Sequence, residues 1–135
     1  ILYRSAGGKI IFPGDAHDKL WEFAIDTYKN DLKNVAFLLA PHHGRKSDRD
    51  YSYLDTINPI VSLLGCAPSE HLAYQAWRSR KLCYLTQNQT GNVVLEIDTN
   101  NIDIYIENQK FAESAGGNIQ KTNGQDCPFR SYSLR

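Results

Sequence analysis

The sequence predicts an α/β fold built on a mixed sheet with flanking helices, and three patterns in the chain predict it. The first is a series of short apolar runs that end at glycine or proline, which is typical of buried strands: residues 9–12, 35–40 and 60–64. The second is apolar residues at three- and four-residue spacing between these runs, as on one face of a helix. The third is a pair of alternating segments near residue 100, which indicates an antiparallel hairpin. Strand–helix–strand units favour parallel neighbours and hairpins add antiparallel ones, so the predicted pairing is mixed.

The first half of the chain is predicted to contain three strands and one long helix. Residues 1–5 and 9–12 form a hairpin, because Gly7-Gly8 between two apolar runs is a turn signal. A helix covers Asp18–Asn30, and a third strand covers residues 35–40. The apolar face of the helix consists of Leu20, Trp21, Ala24, Ile25 and Tyr28.

The second half is predicted to alternate short helices and strands and to close with a hairpin. The helices cover residues 50–57 and Glu70–Lys81, with Ser69 as the cap of the second. The other elements are strands at 60–64 and 82–86, a polar turn at 87–91, and antiparallel strands at 92–98 and 102–107. Periodicity is lost beyond this point, so the chain divides into a domain at 1–107 and a polar tail or linker at 108–135.

The composition is that of an ordinary globular chain, and its 135 residues are enough for one domain with a core. Fifteen basic and fifteen acidic residues give zero net charge, which argues against a free-standing nucleic-acid binder. No apolar run reaches the roughly 18 residues that a membrane span needs. The cysteines have no disulfide or zinc-ligand spacing, which favours a reducing, cytoplasmic setting. Cys66 and Cys83 lie in or beside apolar runs and are predicted to be buried.

Acidic and imidazole side chains follow two of the predicted parallel strands at the point where each strand ends. Asp15 comes just after residues 9–12, and Pro41-His42-His43-Gly44 comes directly after residues 35–40. The carboxyl ends of parallel strands meet at one edge of a sheet, where open α/β sheets keep their ligands. A carboxylate and imidazoles at one edge suit a divalent metal such as zinc. The alternative is an Asx turn at the aspartate and a histidine pair on the surface.

Cationic residues and a further histidine are expected near the same edge. Arg45, Lys46 and Arg49 follow the histidine pair, and Arg78, Arg80 and Lys81 cluster at the end of a predicted helix. Such cations suit a phosphate-bearing substrate, and equally a solvated loop or favourable charges at a helix C-terminus. His71 lies in the first turn of the predicted helix Glu70–Lys81, where an imidazole could bind substrate or act as a general acid. His17 is interpreted as an exposed residue at the start of a helix.

Several short motifs occur in an order that is similar to that of a known family. They are Gly14-Asp15, Pro41-His42-His43-Gly44, Asn58-Pro59-Ile60-Val61-Ser62-Leu63, Ser69-Glu70-His71, Tyr84-Leu85-Thr86 and Gly91-Asn92-Val93-Val94-Leu95. Together they resemble the C-terminal half of the metallo-β-lactamase superfamily, most nearly its branch of competence-type DNA-uptake proteins and phosphorylcholine esterases. The resemblance covers roughly residues 1–107, and it implies the C-terminal half of an αββα sandwich.

The resemblance also implies a dinuclear hydrolase with two zinc ions, or manganese as the alternative metal. In that family a Gly-Asp supplies the carboxylate that bridges the metals, which corresponds to Asp15. A His-His-Gly supplies the last histidine ligand, for which His43 is expected, with His42 as a substrate contact or general acid; these two roles could be exchanged. The implied reaction is cleavage of phosphodiester bonds in nucleic acid or nucleotides. The residues expected to bind substrate are His42, Arg45, Lys46 and His71, and those expected to act in catalysis are Asp15, His42 and His71.

The ligand set of that family is incomplete in this chain. The family draws a His-x-His-x-Asp-His cluster and one further histidine from its N-terminal half, whereas this chain has four histidines and no His-x-His. We therefore expect an upstream region of the same protein, or a partner chain, to supply the missing ligands. The absence of methionine and the start within a strand also indicate an excerpt from a longer protein. The alternatives are a non-catalytic interaction or scaffold domain whose tail is a docking segment, and a hydrolase of carbon esters or amides.

Overall fold

Five strands form the first of two sheets in the computed structural model, which describes residues 1–115, 118–122 and 130–134, the last two ranges as backbone. In sheet order they are β1 (Leu2–Ser5), β2 (Gly8–Ile11), β3 (Phe37–Leu39), β4 (Val61–Leu64) and β5 (Tyr84–Thr86). β1 pairs antiparallel with β2, whereas β2, β3, β4 and β5 run parallel to their neighbours. The predictions of a mixed sheet and of parallel neighbours are confirmed.

Three helices cover one face of this sheet. They are α1 (Asp18–Leu32), α2 (Tyr53–Ile57) and α3 (Tyr74–Arg78), and each follows one of the strands β2, β3 and β4 along the chain. Leu38 and Leu64 of the sheet pack with Leu54 of α2 and Trp77 of α3 in one buried cluster. The side chain of Trp77 is fully buried, so the helices are held by apolar contact with the sheet.

A second sheet covers the opposite face of the first. Its strands are, in order, β6 (Val93–Ile97), β7 (Ile102–Ile106), β9 (Arg130–Leu134) and β8 (Asn118–Thr122), all antiparallel. Ile102 and Ile104 of β7 pack against Phe37 and Val61 of the first sheet. Phe37 and its neighbour Leu38 belong to different clusters because successive strand residues face opposite sides. The chain is therefore layered helix, sheet, sheet, with the hairpin β6–β7 as predicted.

The helix predicted at Glu70–Lys81 is divided. A 3₁₀ turn covers Ser69–His71, and α3 begins only at Tyr74. Between them Leu72 has an extended backbone and bridges to Arg45, and the Ala73 N–H donates to the Gly44 carbonyl (2.8 Å). The prediction of one continuous helix capped by Ser69 is wrong, because pairing with the loop after β3 uses the backbone that the helix would need.

The other helices also differ from their predicted bounds. The helix expected over residues 50–57 starts at Tyr53, because the Asp50 carboxylate accepts from the Ser52 N–H (2.9 Å) and hydroxyl (2.6 Å) and forms a turn there. The polar turn expected at 87–91 contains a short helix, α4 (Gln87–Thr90). In α1, Trp21 is buried, whereas Leu20 and Tyr28 are 54% and 53% exposed. The backbone leaves the helical region at Tyr28, so the predicted apolar face is interrupted there.

The segment expected to be a polar tail or linker, 108–135, contains secondary structure where it is described. Helix α5 (Gln109–Ser114) is capped by the Asn108 side chain, which accepts from the Phe111 N–H (3.2 Å), and Ala112 lies in the core between the sheets. β8 and β9 follow. Residues 116–117, 123–129 and 135 lie outside the described ranges, so the role of this segment as a docking tail stays a prediction.

Cys66 and Cys83 are both exposed, which contradicts the prediction that they are buried. Each lies at the border of a strand, where an apolar neighbour in the sequence does not ensure burial: Cys66 follows β4 and Cys83 precedes β5. Across the part of the chain that the structure describes, every helix is too short or too polar to traverse a lipid bilayer.

Candidate functional site

The carboxyl edge of the first sheet brings together the ends of β2, β3 and β4. The 3₁₀ turn Pro41–Gly44 follows β3 directly, and the His42 N–H donates to the Gly14 carbonyl after β2 (3.0 Å). On the other side, the Gly65 N–H after β4 donates to the His43 carbonyl (2.8 Å). Asp15 and the histidine pair thus lie at one edge, held there by main-chain hydrogen bonds between neighbouring strand ends.

The turn that carries the histidines has a left-handed backbone. The φ angles of His42, His43 and Gly44 are 51°, 57° and 71°. For residues other than glycine this conformation costs roughly 1–2 kcal/mol each, because Cβ approaches the following carbonyl oxygen. Two consecutive histidines in this region form a site of local strain, and such strain is concentrated at functional sites.

Two glycines let the histidine turn pack against β4. A Cβ on Gly44 would lie 2.6 Å from Leu64 Cγ and 3.2 Å from Ala40 Cβ, which leaves no room for a side chain. A Cβ on Gly65 would lie 2.9 Å from His43 Cβ. The two glycines therefore fix the position of the His43 Cβ atom, as well as the backbone conformation of the turn.

The Asp15 carboxylate is paired with Arg49 in this structure. Arg49 Nη2 donates to Asp15 Oδ1 (2.6 Å), and Nη1 donates to the Ala16 carbonyl (3.0 Å). The guanidinium side chain is 15% exposed and the carboxylate side chain 62% exposed. The hydrogen bond from Arg49 lowers the pKa of Asp15 below its usual value, and the charges of Arg49, His42 and His17 act in the same direction. One carboxylate oxygen is therefore occupied, while the other lies 3.6 Å from His17 Nε2.

The two histidines of the turn differ in their surroundings. His42 is half-buried, and its Nδ1 is a buried atom that has no hydrogen-bond partner among the described residues. His43 is exposed. The charge of His42 is among the causes that lower the pKa of Asp15. A buried ring nitrogen without a partner is a donor or acceptor that a ligand could satisfy.

His71, Arg45 and Lys46 lie beside this turn through a second set of main-chain contacts. The Lys46 N–H donates to the His71 carbonyl (2.8 Å), and Arg45 bridges to Leu72. All three side chains are exposed. Within the described residues neither cationic side chain has a hydrogen bond or an ion pair, so both are free to meet an anion.

The residues of this edge do not by themselves complete a metal site. Among the described residues no group of three or more histidine, cysteine, aspartate or glutamate side chains is placed to hold an ion. The carboxylate predicted as the bridging ligand has Arg49 on one oxygen. That pair joins residues 34 positions apart in a loop and a turn, so no local pattern in the sequence indicates it. Comparisons with protein-family models, curated proteins and solved structures found no match to this chain.

Proposed function

We propose that this chain contributes the carboxylate and imidazole half of a metal-dependent hydrolase site in a metallo-β-lactamase-like αββα sandwich. The layers of helix, sheet and sheet are compatible with part of such a sandwich and support this proposal. The metal is zinc, as a pair of ions, with manganese as the alternative. The ligands that these residues lack come from an upstream region or a partner chain that carries a His-x-His-x-Asp-His cluster.

The observation that carries this proposal is the left-handed histidine turn next to Gly14-Asp15. Elsewhere in residues 1–115 the non-glycine residues with a positive φ are Asn34, Asn58 and Lys81, each a single residue rather than a consecutive pair. Here two consecutive histidines have a positive φ, and one of them has a buried nitrogen without a partner among the described residues. Local strain retained at a strand-end edge supports a site at which those imidazoles are needed.

The substrate in this proposal is a phosphodiester in nucleic acid or a nucleotide. Arg45 and Lys46 are free cations next to the turn, and they bind the phosphate oxygens. His71 is tied to Lys46 through the main chain and can donate a proton to the leaving oxygen. In this proposal Asp15 and His42 bind the metal, and His43 faces the substrate. The two histidines thus exchange the roles that the sequence resemblance first implied.

A specific observation also favours a second function, that of a non-catalytic interaction or scaffold domain. The Asp15–Arg49 ion pair satisfies the carboxylate without a metal. If this pair persists in the assembled protein, the same edge would serve as a binding surface, with its strained turn as a rigid contact point.

The test is metal content and phosphodiesterase activity of the full-length protein purified from its source or its complete reading frame. Native mass spectrometry is expected to give two bound metal ions, and bis(p-nitrophenyl) phosphate should be hydrolysed. Asp15→Asn and His42→Asn should each remove metal and activity; asparagine suits the second position because it tolerates a positive φ. Asp26→Asn, an exposed carboxylate of α1 away from this edge, is the matched control. A full-length protein with no metal and no hydrolysis would leave the scaffold function in its place.

A further inference from the structure

Arg78 is held in one orientation by two tyrosines at the far end of the same sheet. Its guanidinium carbon lies 4.7 Å from the centre of the Tyr74 ring, one helical turn earlier in α3. Its Nε donates to the Tyr84 hydroxyl at the start of β5 (2.8 Å). The two rings are stacked with an interplanar angle of 13° and centres 6.2 Å apart. Three side chains thus form one unit, in which the two terminal amino groups of the arginine remain unused.

Among the arginines whose side chains the structure describes, Arg78 and Arg45 are those without a carboxylate partner. Arg4, Arg49 and Arg80 each form an ion pair with an aspartate, at 2.7, 2.6 and 2.8 Å. Within residues 1–115, Arg78 makes no ion pair, but a hydrogen bond to Tyr84 and contact with the Tyr74 ring hold its guanidinium in one orientation. A guanidinium that is oriented in advance but uncompensated loses little side-chain entropy when it binds an anion, so it is suited to that role.

The arginine lines a cavity of about 260 Å³ whose other polar groups are hydroxyls and amides. No acidic side chain of residues 1–115 lines it, and its polar lining there consists of Ser69, Tyr74, Arg78, Tyr84, Asn88 and Gln89, with Thr86 at the end of β5. The Thr86 hydroxyl donates to Gln89 Oε1 (2.9 Å), which leaves the amide nitrogen of Gln89 as a donor. A fixed cation surrounded by neutral donors presents several hydrogen bonds to one ligand with many acceptors.

We propose that this cavity, the Arg78 pocket, binds the phosphate group of a small organic phosphate or nucleotide. A phosphate offers three oxygens, so it can accept two bonds from the guanidinium fork and a third from Ser69 or Gln89. A carboxylate offers two oxygens and leaves the neutral donors unused. Ser69 and Leu72 flank His71, so the pocket opens beside the proposed hydrolase edge. The site does not depend on that proposal, because none of its residues is a candidate metal ligand.

The test is titration of the metal-free protein, dialysed against EDTA, with inorganic phosphate. Chemical shifts of the Arg78 Nε–H and of the Gln89 side-chain amide report the pocket. We expect saturable shifts with phosphate and at least about tenfold weaker binding of acetate, because acetate loses one charge-assisted hydrogen bond. Arg78→Gln should weaken phosphate binding at least about tenfold. Arg80→Gln is the matched control, because it removes the same charge only two residues from Arg78, and Arg80 is already bound to Asp55. This variant should change the phosphate affinity less than about twofold.

Two further variants separate this site from others. Tyr84→Phe removes the hydroxyl that orients Arg78 and keeps the ring, so phosphate affinity should fall several-fold while the thermal midpoint is retained. Arg45→Gln with Lys46→Gln removes the free cations of the histidine edge and should leave the Gln89 shifts unchanged. The proposal is overturned if phosphate causes no saturable shift, if Arg78→Gln and Arg80→Gln have equal effects, or if acetate binds as well as phosphate. A loss of binding in the Arg45/Lys46 variant alone would assign phosphate to the histidine edge instead.

Discussion

The histidine turn is positioned by its backbone, whereas the Arg78 pocket is positioned by its side chains. At the histidine turn, main-chain hydrogen bonds join three strand ends, and two glycines allow the close packing. At the Arg78 pocket, a tyrosine hydroxyl and a tyrosine ring hold the guanidinium in place. The comparison teaches that substitutions which change the backbone of the histidine turn should act on the stability of the fold, whereas substitutions of side chains in the Arg78 pocket should act on ligand binding. The following measurements test the first half of that division, and the Arg78 and Tyr84 variants described above test the second.

Gly44→Ala should have the largest effect on stability. The Cβ of the new alanine would clash with Leu64, and alanine rarely adopts the backbone conformation found at this position. Overpacking and backbone strain together should lower the free energy of unfolding by about 3 kcal/mol. Gly14→Ala is the control, because Gly14 also has a positive φ (61°) but nothing lies within 4 Å of its added Cβ. It should cost only about 1 kcal/mol. Urea unfolding curves measure both, and equal losses would show that packing against β4 is unimportant.

His43→Gly should increase stability by a smaller amount. Glycine removes the left-handed strain at φ 57°, and its greater entropy in the unfolded chain offsets part of the gain, which leaves about 0.5–1 kcal/mol. His43→Asn should fall between the two, since asparagine tolerates this region better than histidine. Thermal melting of the three proteins gives the order. If His43→Gly is less stable than the parent, the imidazole makes a stabilising contact and the turn does not store strain for function.

Arg49→Gln should have the smallest effect on stability, and it tests the ion pair between Arg49 and Asp15. The pKa of Asp15 is lowered chiefly by its hydrogen bond from Arg49, so the pair stabilises the fold above the unfolded-state pKa of Asp15. That contribution disappears as the pH falls through the lower folded-state pKa. A carbon-13 NMR titration should show the pKa of Asp15 returning toward its usual value in Arg49→Gln. The pKa of Asp50, which is lowered by its hydrogen bond from the Ser52 hydroxyl, should stay where it is and serve as the internal control.

Strands β1–β7 were the most predictable part of this molecule, because their signals are local, whereas β8 and β9 lie in the segment predicted to be a polar tail. The run at 35–40 contributes residues to both cores, and β3 is flanked on both sides by parallel strands, so nearly every residue there is apolar. The hairpin β6–β7 was predictable from its alternation and from the Asn100-Asn101 turn. The meeting of Asp15 with the histidine pair followed from the parallel arrangement of β2 and β3, and the structure brings those residues to one edge.

Long-range contacts were not predictable in the same way. The division of the helix near residue 72 results from pairing with Arg45, which no local pattern contains. The partnership of Arg49 with Asp15, and the orientation of Arg78 by Tyr84, both join side chains on separate elements. In α5, Phe111 and Ala112 are too few apolar residues to give a helical period, although they pack against the core between the sheets. The metal and substrate roles of the edge remain predictions.

The main-chain hydrogen bonds of the histidine turn have a consequence for how this edge could change over time. The donors on His42, Lys46 and Ala73 and their acceptors are peptide groups, which almost every amino acid carries in the same form. These hydrogen bonds therefore fix the positions of the neighbouring residues without depending on the chemistry of their side chains. Where the backbone is not left-handed, as at Lys46 and His71, such an edge can exchange one functional group for another by single substitutions and keep its shape, so related chains could carry different chemistries on the same arrangement of strand ends.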